Sequence, residues 1–234
     1  NYLAQTDFYT GEILKALDDP NGDGDTSDSV KSNTVVFISS DNGPETSAFK
    51  SSLKNGHDAN GPFAGVKRDN WEGGTRVPFL VRWPGVVKPA TVSDHACWQG
   101  DFIATMAEYL GYQLGPDQAP DTESFFPVLQ GKPMPVKRRT GFIQHSSLGQ
   151  LAIVDSSGEW KLLDGAGGGG NVQTWDADNA KTLAKGKVGG SPKQLYNLAT
   201  DPGERNNLID SSDSKVLAKK QQLLDALSTI RADK

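Results

Sequence analysis

A chain of 234 residues with 35% hydrophobic content and five tryptophans holds enough apolar mass for one large domain or two small ones. Its formal net charge of −5 argues against nucleic acid as a partner. No apolar run approaches a membrane span, and a single cysteine, Cys97, excludes an internal disulfide without fixing a compartment.

The chain opens at Asn1 without Met or an apolar leader, so any signal peptide is expected upstream or absent. Residues 2 to about 18 read as a helix, with Leu3, Thr6, Thr10, Ile13, Leu14 and Leu17 on one stripe. Asp18-Asp19-Pro20 ends it. Asp19, Asn21, Asp23 and Gly24 then match the first half of an EF-hand loop. Val30 stands where the bidentate Glu belongs, and Asp28 is a partial substitute. A solvated acidic loop accounts for the same turn residues, with a weak structural calcium site as the alternative.

Residues 34–39 form a β-branched run that stops at Ser40-Asp41-Asn42-Gly43. A buried strand ending in a carboxylate and an amide is a typical way for an open α/β sheet to present oxygen ligands beyond its carboxyl end. Asp41 and Asn42 offer hard oxygens suited to calcium or magnesium, and Gly43 permits a sharp exit. Residues 44–64 are polar and rich in Gly, Ser and Asn, and read as a long active-site loop carrying His57. Lys67 puts a cation on a long stem, the partner that a metal-held oxyanion needs. Arg68 and Asp69 read as local salt links. Glu72-Gly73-Gly74 reads as a tight turn or helix start that Arg76 ties down.

Residues 79–82 are the next buried strand, ended by Pro84-Gly85 and expected to lie parallel beside 34–39. A helix is expected between Ser93 and Gly111, with Phe102, Met106, Ala107 and Leu110 as its core stripe and Asp101 near its start. His95 and Cys97 read as packing residues, since no second soft ligand lies nearby. Gly115 to Pro135 is loop-like. The Lys137-Arg138-Arg139 cluster marks a boundary, with 1–135 and 136–234 as the two parts, and reads as a solvated linker. Short strands near 141–145, 150–155, 158–163 and 194–198 suggest a small antiparallel sheet. Gly165 to Gly170 reads as flexible and low in complexity. A final helix over 212–230, with Val216, Leu217, Leu223, Leu224, Leu227 and Ile230 on its apolar face, should cover that sheet.

Taken in order, several of these stretches resemble the second half of a type I sulfatase, a member of the alkaline phosphatase superfamily. They are Ser40-Asp41-Asn42-Gly43-Pro44, Lys67 before Trp71-Glu72-Gly73-Gly74, and Arg76-Val77-Pro78. Further on come Gly158-Glu159-Trp160-Lys161-Leu162, Leu195-Tyr196-Asn197-Leu198, Asp201-Pro202-Gly203-Glu204 and Asn207-Leu208. The family's formylglycine motif, Cys/Ser-x-Pro-x-Arg, is absent from these 234 residues. The chain is therefore expected to be the C-terminal portion of a sulfatase. Its fold class is expected to be α/β: a partial alkaline-phosphatase-like sheet with helices, then a small antiparallel sheet packed by a helix. The bare edge of the incomplete large sheet is an expected place for self-association.

The resemblance implies a sulfate ester hydrolase acting on a sulfated small molecule or glycan. Asp41 and Asn42 would contribute to a calcium site, and Lys67 would bridge a sulfate oxygen and the leaving oxygen. His57 would touch substrate from its loop. Asp7, the acidic residue such a first helix carries, would make a surface or helix-cap contact. A periplasmic, secreted or lysosomal compartment follows from the family alone. A phosphate or phosphonate ester hydrolase of the same superfamily is the nearest alternative, though no His pair for two transition metals accompanies Asp41. A non-catalytic carbohydrate-binding module is the alternative from another class. Two ligands fall far short of calcium's usual six to eight or so oxygens, so these 234 residues alone are expected to bind it weakly and to turn nothing over.

Overall fold

The computed structural model describes residues 2–134, 139–165, 167–168 and 193–232. Helix α1 (Tyr2–Asp18) forms as its stripe predicts, but buries none of its residues. Leu3 is 68% and Ile13 61% exposed. Asp7 lies inside the helix on an exposed face, so the helix-cap contact expected of it is not made. The acidic loop that follows folds back on itself. The Asp19 carboxylate accepts from the Gly22 and Gly24 amides, Asp23 from the Asp25 amide, and Asp25 from the Ser27 amide.

Strands β1 (Val36–Ser39) and β2 (Phe79–Arg82) pair with each other, but antiparallel, contrary to the parallel arrangement expected. The register explains it. Ser39 faces Phe79 and Val36 faces Arg82, so the 40–78 excursion re-enters the sheet at the end where it left. A parallel neighbour would have to return to the Val36 end, and a long loop that doubles back does not cross over. Among the described residues the other edge of β1 carries no strand.

The excursion is not all loop. Thr46–Lys54 forms helix α2, started by Glu45, whose carboxylate accepts from the Thr46 amide, and anchored by the buried Phe49. Helix α3 (Glu72–Thr75) is a single turn. Beyond β2, α4 (Asp101–Tyr109) lies within the expected span and opens at Asp101, but its predicted stripe is buried only at Ala107. Phe37 of β1 meets Phe102 of α4 edge-on at 5.0 Å and Trp83 at 5.9 Å. Tyr109 and Phe126, the latter on the short helix α5 (Phe126–Leu129), complete this aromatic layer around Trp83.

The basic cluster is only partly what its composition suggests. Lys137 and Arg138 lie outside the described residues, but Arg139 is no solvated linker residue. Its guanidinium grips both oxygens of the buried Asp101 and lies 4.6 Å from the Phe142 ring centre. Asp101 also accepts from the Trp98 and Glu123 amides, so one carboxylate joins α4, the loop before it and the segment entering the second sheet.

That second sheet is an antiparallel meander of β3 (Gly141–His145), β4 (Leu151–Asp155), β5 (Trp160–Leu163) and β6 (Gln194–Asn197). Of the low-complexity stretch at 165–170, residues 166, 169 and 170 lie outside the described residues. Alternation sorts the strands onto two faces. Ile153, Leu162 and Leu195 pack with Leu223 and Leu227 of helix α6 (Ser214–Ala232). Leu217, expected on that apolar face, is 45% exposed. Lys219 to Asp155 and Arg231 to Asp164 pin the helix down at 3.1 and 2.6 Å. Ala152, Val154, Leu163 and Tyr196 face the other way, onto Phe49, Ala64, Val66 and Trp71. The sheet thus presses α6 with one face and supports the 44–75 region with the other.

Candidate functional site

Strand β1 delivers Asp41, Asn42 and Gly43 in succession into a bend. The Asn42 side-chain amide donates to an Asp41 carboxylate oxygen at 2.6 Å. That bond, with a smaller contribution from the Lys67 charge, holds Asp41 below the usual carboxylate range. Asp41 is therefore an exposed, ionised oxygen donor. The Gln99 amide donates to the Ser40 carbonyl and ties the strand end to the segment before α4.

Glycine is needed at 43 for a different reason from the one the sequence suggests. Its φ is not positive. Instead, a Cβ there would overlap the Gly73 carbonyl oxygen, and its amide donates to the Gly74 carbonyl at 3.0 Å. Gly73 in turn has no room for a Cβ against the Gly65 and Ala64 carbonyls, nor Gly74 against those of Asp69 and Val66. Three backbone segments therefore touch without side chains between them.

Lys67 enters this group through its own backbone, its amide donating to the Pro44 carbonyl at 3.0 Å. Its half-buried side chain puts positive charge on both Asp41 and Glu45. Arg68, in the left-handed region at φ 83°, makes a two-pronged pair with Glu45 at 2.8 and 2.9 Å. Asp69 accepts from the Val66 amide and closes the turn beneath Lys67. Asp41, Asn42 and Lys67 are thus gathered at one place. His57 is not: it lies on the exposed turn after α2, and among the described residues no hydrogen bond or ion pair joins it to them.

The residues missed by sequence reasoning lie just behind. Glu72 is buried, and its Oε1 accepts from the Lys161 ammonium at 3.0 Å. Glu204 lies 3.3 Å from the same ammonium and accepts from the Glu72 amide at 2.6 Å. Arg76 reaches the outer Glu72 oxygen at 3.4 Å, the tie expected of it. Burial pushes the Glu204 carboxyl up to about 7 even with Lys161 alongside. Burial alone would push the Lys161 ammonium down, but Glu204 and Glu72 outweigh it and hold the proton on. The signal available was register: Lys161 shares a sheet face with Leu163 and opposes Val154 and Tyr196.

Other candidates separate from this group. Burial, with the Asp101 charge beside it, pushes the Cys97 thiol up to about 11, far from a thiolate nucleophile. Among the described residues no group of three or more His, Cys, Asp or Glu is placed to hold a metal ion, the acidic loop at 19–28 included. Asp41 and Asn42 fit a hard cation in donor type, but supply two ligands only.

A family model described as Sulfatase matches residues 1–112, the part that carries Asp41, Asn42 and Lys67. N-acetylgalactosamine-6-O-sulfatase of Bacteroides thetaiotaomicron is 32% identical over 97% of this chain. Over nearly its whole length the chain is similar to the sulfatase family. A solved Bacteroides thetaiotaomicron structure, described under the metabolism of multiple glycosaminoglycans, superposes with a TM-score of 0.70 at 31% identity. It covers 97% of this chain and 43% of its own. Rat steryl-sulfatase is 27% identical over 91% of the chain and 37% of its own length. The alkaline-phosphatase-like α/β architecture of the sulfatases is thus the frame of this chain. The chain spans about two fifths of the curated sulfatases it matches, 41% of the first named.

Proposed function

We propose that this chain is the C-terminal part of a sulfatase that hydrolyses sulfate esters, with a sulfated glycan as its substrate class. The convergence of Asp41, Asn42 and Lys67 on the glycine-packed turns carries the reading. The glycan preference draws on the N-acetylgalactosamine-6-O-sulfatase relative. The nucleophile, a formylglycine in this reading, comes from outside residues 1–234, which contain no motif for it. The parts 1–135 and 136–234 act as catalytic-domain portion and supporting subdomain. A periplasmic, secreted or lysosomal setting goes with the family, and self-association would use the open β1 edge.

Asp41 and Asn42 hold a calcium ion together with carboxylates from elsewhere in the full-length protein. Calcium, when bound, supplies fixed positive charge for the sulfate oxygens. Lys67 does the rest of what this chain contributes. Its ammonium holds a sulfate oxygen, stabilises charge on the departing alcohol oxygen and can help to protonate it. His57 is proposed as an outer contact to the substrate, carried by the turn after α2.

The test is turnover by the full-length protein of 4-nitrophenyl sulfate, the matching phosphate and phosphonate esters, and a 6-O-sulfated N-acetylgalactosamine. Turnover of the sulfates alone supports the proposal. Preference for phosphate or phosphonate would move the protein to that branch of the superfamily, and no turnover of any ester would leave the non-catalytic binding module. The purified 234-residue chain should show no turnover.

A further inference from the structure

We propose that Lys161 and Glu204 are positioning residues for the oxyanion group, clamping Glu72 from the C-terminal part and so setting the turns that carry Asp41, Asn42 and Lys67. The inference rests on the reading of that group given above.

The path is short and almost entirely backbone. Glu204, in the left-handed region at φ 54°, aims one carboxylate oxygen at the Glu72 amide. Lys161, fully enclosed on β5, holds the Glu72 side chain from the other side. The Gly73 amide, next in sequence, donates to the Ala64 carbonyl at 2.6 Å, and the Gly74 carbonyl accepts from Gly43. Asn42 precedes Gly43, and the Pro44 carbonyl holds the Lys67 amide. Since no Cβ fits at 43, 73 or 74, a shift of Glu72 has no soft side chain to absorb it.

The charges explain why the clamp is ionic. Glu72 is held by the buried Lys161 on the inside and by the exposed Arg76 on the outside, and Glu204 lies against the same Lys161 ammonium. An apolar plug of equal volume can be as stable as a buried ion pair. It offers no acceptor for the Glu72 amide and no fixed direction for the Glu72 side chain. What the charged group adds is position. In a site where misplacement by an ångström costs on the order of a hundredfold in rate, that is worth keeping.

The test uses the full-length enzyme, 4-nitrophenyl sulfate and three variants. Glu204→Gln keeps an acceptor for the Glu72 amide. Lys161→Met with Glu204→Gln removes both buried partners of Glu72 without leaving Glu204 charged and leaves Glu72 to the exposed Arg76. Asp41→Ala reports on the underlying site reading. With all variants assayed well below their melting temperatures, Glu204→Gln should stay within threefold of the starting kcat. The double variant should lose tenfold or more in kcat with KM changed less than threefold. A folded double variant with kcat within twofold of Glu204→Gln would overturn the inference and make the clamp a fold stabiliser only. If Asp41→Ala also kept full activity, the site reading itself would fall. If Asp41→Ala alone were inactive, only the clamp would.

Discussion

The ammonium of Lys161 lies 3.0 Å from the Glu72 carboxylate, across 89 residues of chain, with both side chains shut off from solvent. Removing only the cation leaves Glu72 and Glu204 facing each other in a dry space. Lys161→Met should therefore cost about 3–5 kcal/mol of stability, the usual consequence of stranding a buried charge. Urea unfolding of the full-length protein checks it. A loss below about 1 kcal/mol would mean that water reaches the pair.

Glu204 also gives stability a pH dependence with a definite sign. In the unfolded chain its carboxyl ionises near 4.5, whereas in the fold burial delays ionisation to about 7. Between those values the fold binds the extra proton, so stability falls as pH rises, by on the order of 3 kcal/mol from this group. Glu204→Gln should flatten that slope between pH 4.5 and 7. Parallel stability curves for the two proteins would assign the slope elsewhere.

Asp41→Ala in the full-length protein removes one oxygen donor and one negative charge from the calcium site proposed above. Calcium affinity and turnover should fall together, each by tenfold or more, because ligand number and charge set calcium affinity. Calorimetric titration beside steady-state kinetics reads both. Unchanged calcium binding would take Asp41 out of the site.

Lys67→Ala should lower kcat more for an alkyl or sugar sulfate than for a nitrophenyl sulfate. A good leaving group needs less help with the charge on its departing oxygen. Equal losses would reassign Lys67 to plain sulfate binding.

Arg139→Leu strands the buried Asp101 carboxylate, which keeps only its two backbone donors. A melting temperature lowered by several degrees, at equal calcium, is the expected result, and its recovery in Arg139→Leu with Asp101→Asn would confirm that the charge was the cause.

Much of this was legible in the sequence, for stated reasons. The helices α1 and α6 and the strands of the meander announce themselves by period. Asp41 and Asn42 stand out because a strand that ends in two oxygen donors and a glycine is a typical ligand site of an open α/β sheet. Pairing direction was not legible, since Val36–Ser39 reads the same beside either kind of neighbour. Helix α2 hid because Thr46–Lys54 offers little apolar period beyond Phe49 and Leu53, between flanks rich in Gly, Pro and Asn. Arg139 looked solvated because its partner Asp101 is 38 residues upstream. Lys161 and Glu204 each look like surface charges until both meet Glu72. Local patterns report on neighbours along the chain, and these contacts join residues far apart in it.

The separation of those partners bears on how the protein is made. Glu204 follows Glu72 by 132 residues. A ribosome adding roughly 5–20 residues per second leaves a delay of many seconds during which Asp41, Asn42 and Lys67 exist without their last support. Throughout that interval the Glu72 amide lacks its carboxylate acceptor. A nascent chain halted before residue 204 would carry every residue of the oxyanion group and not yet the means to hold them. Contacts of such long sequence separation are the ones that form slowly.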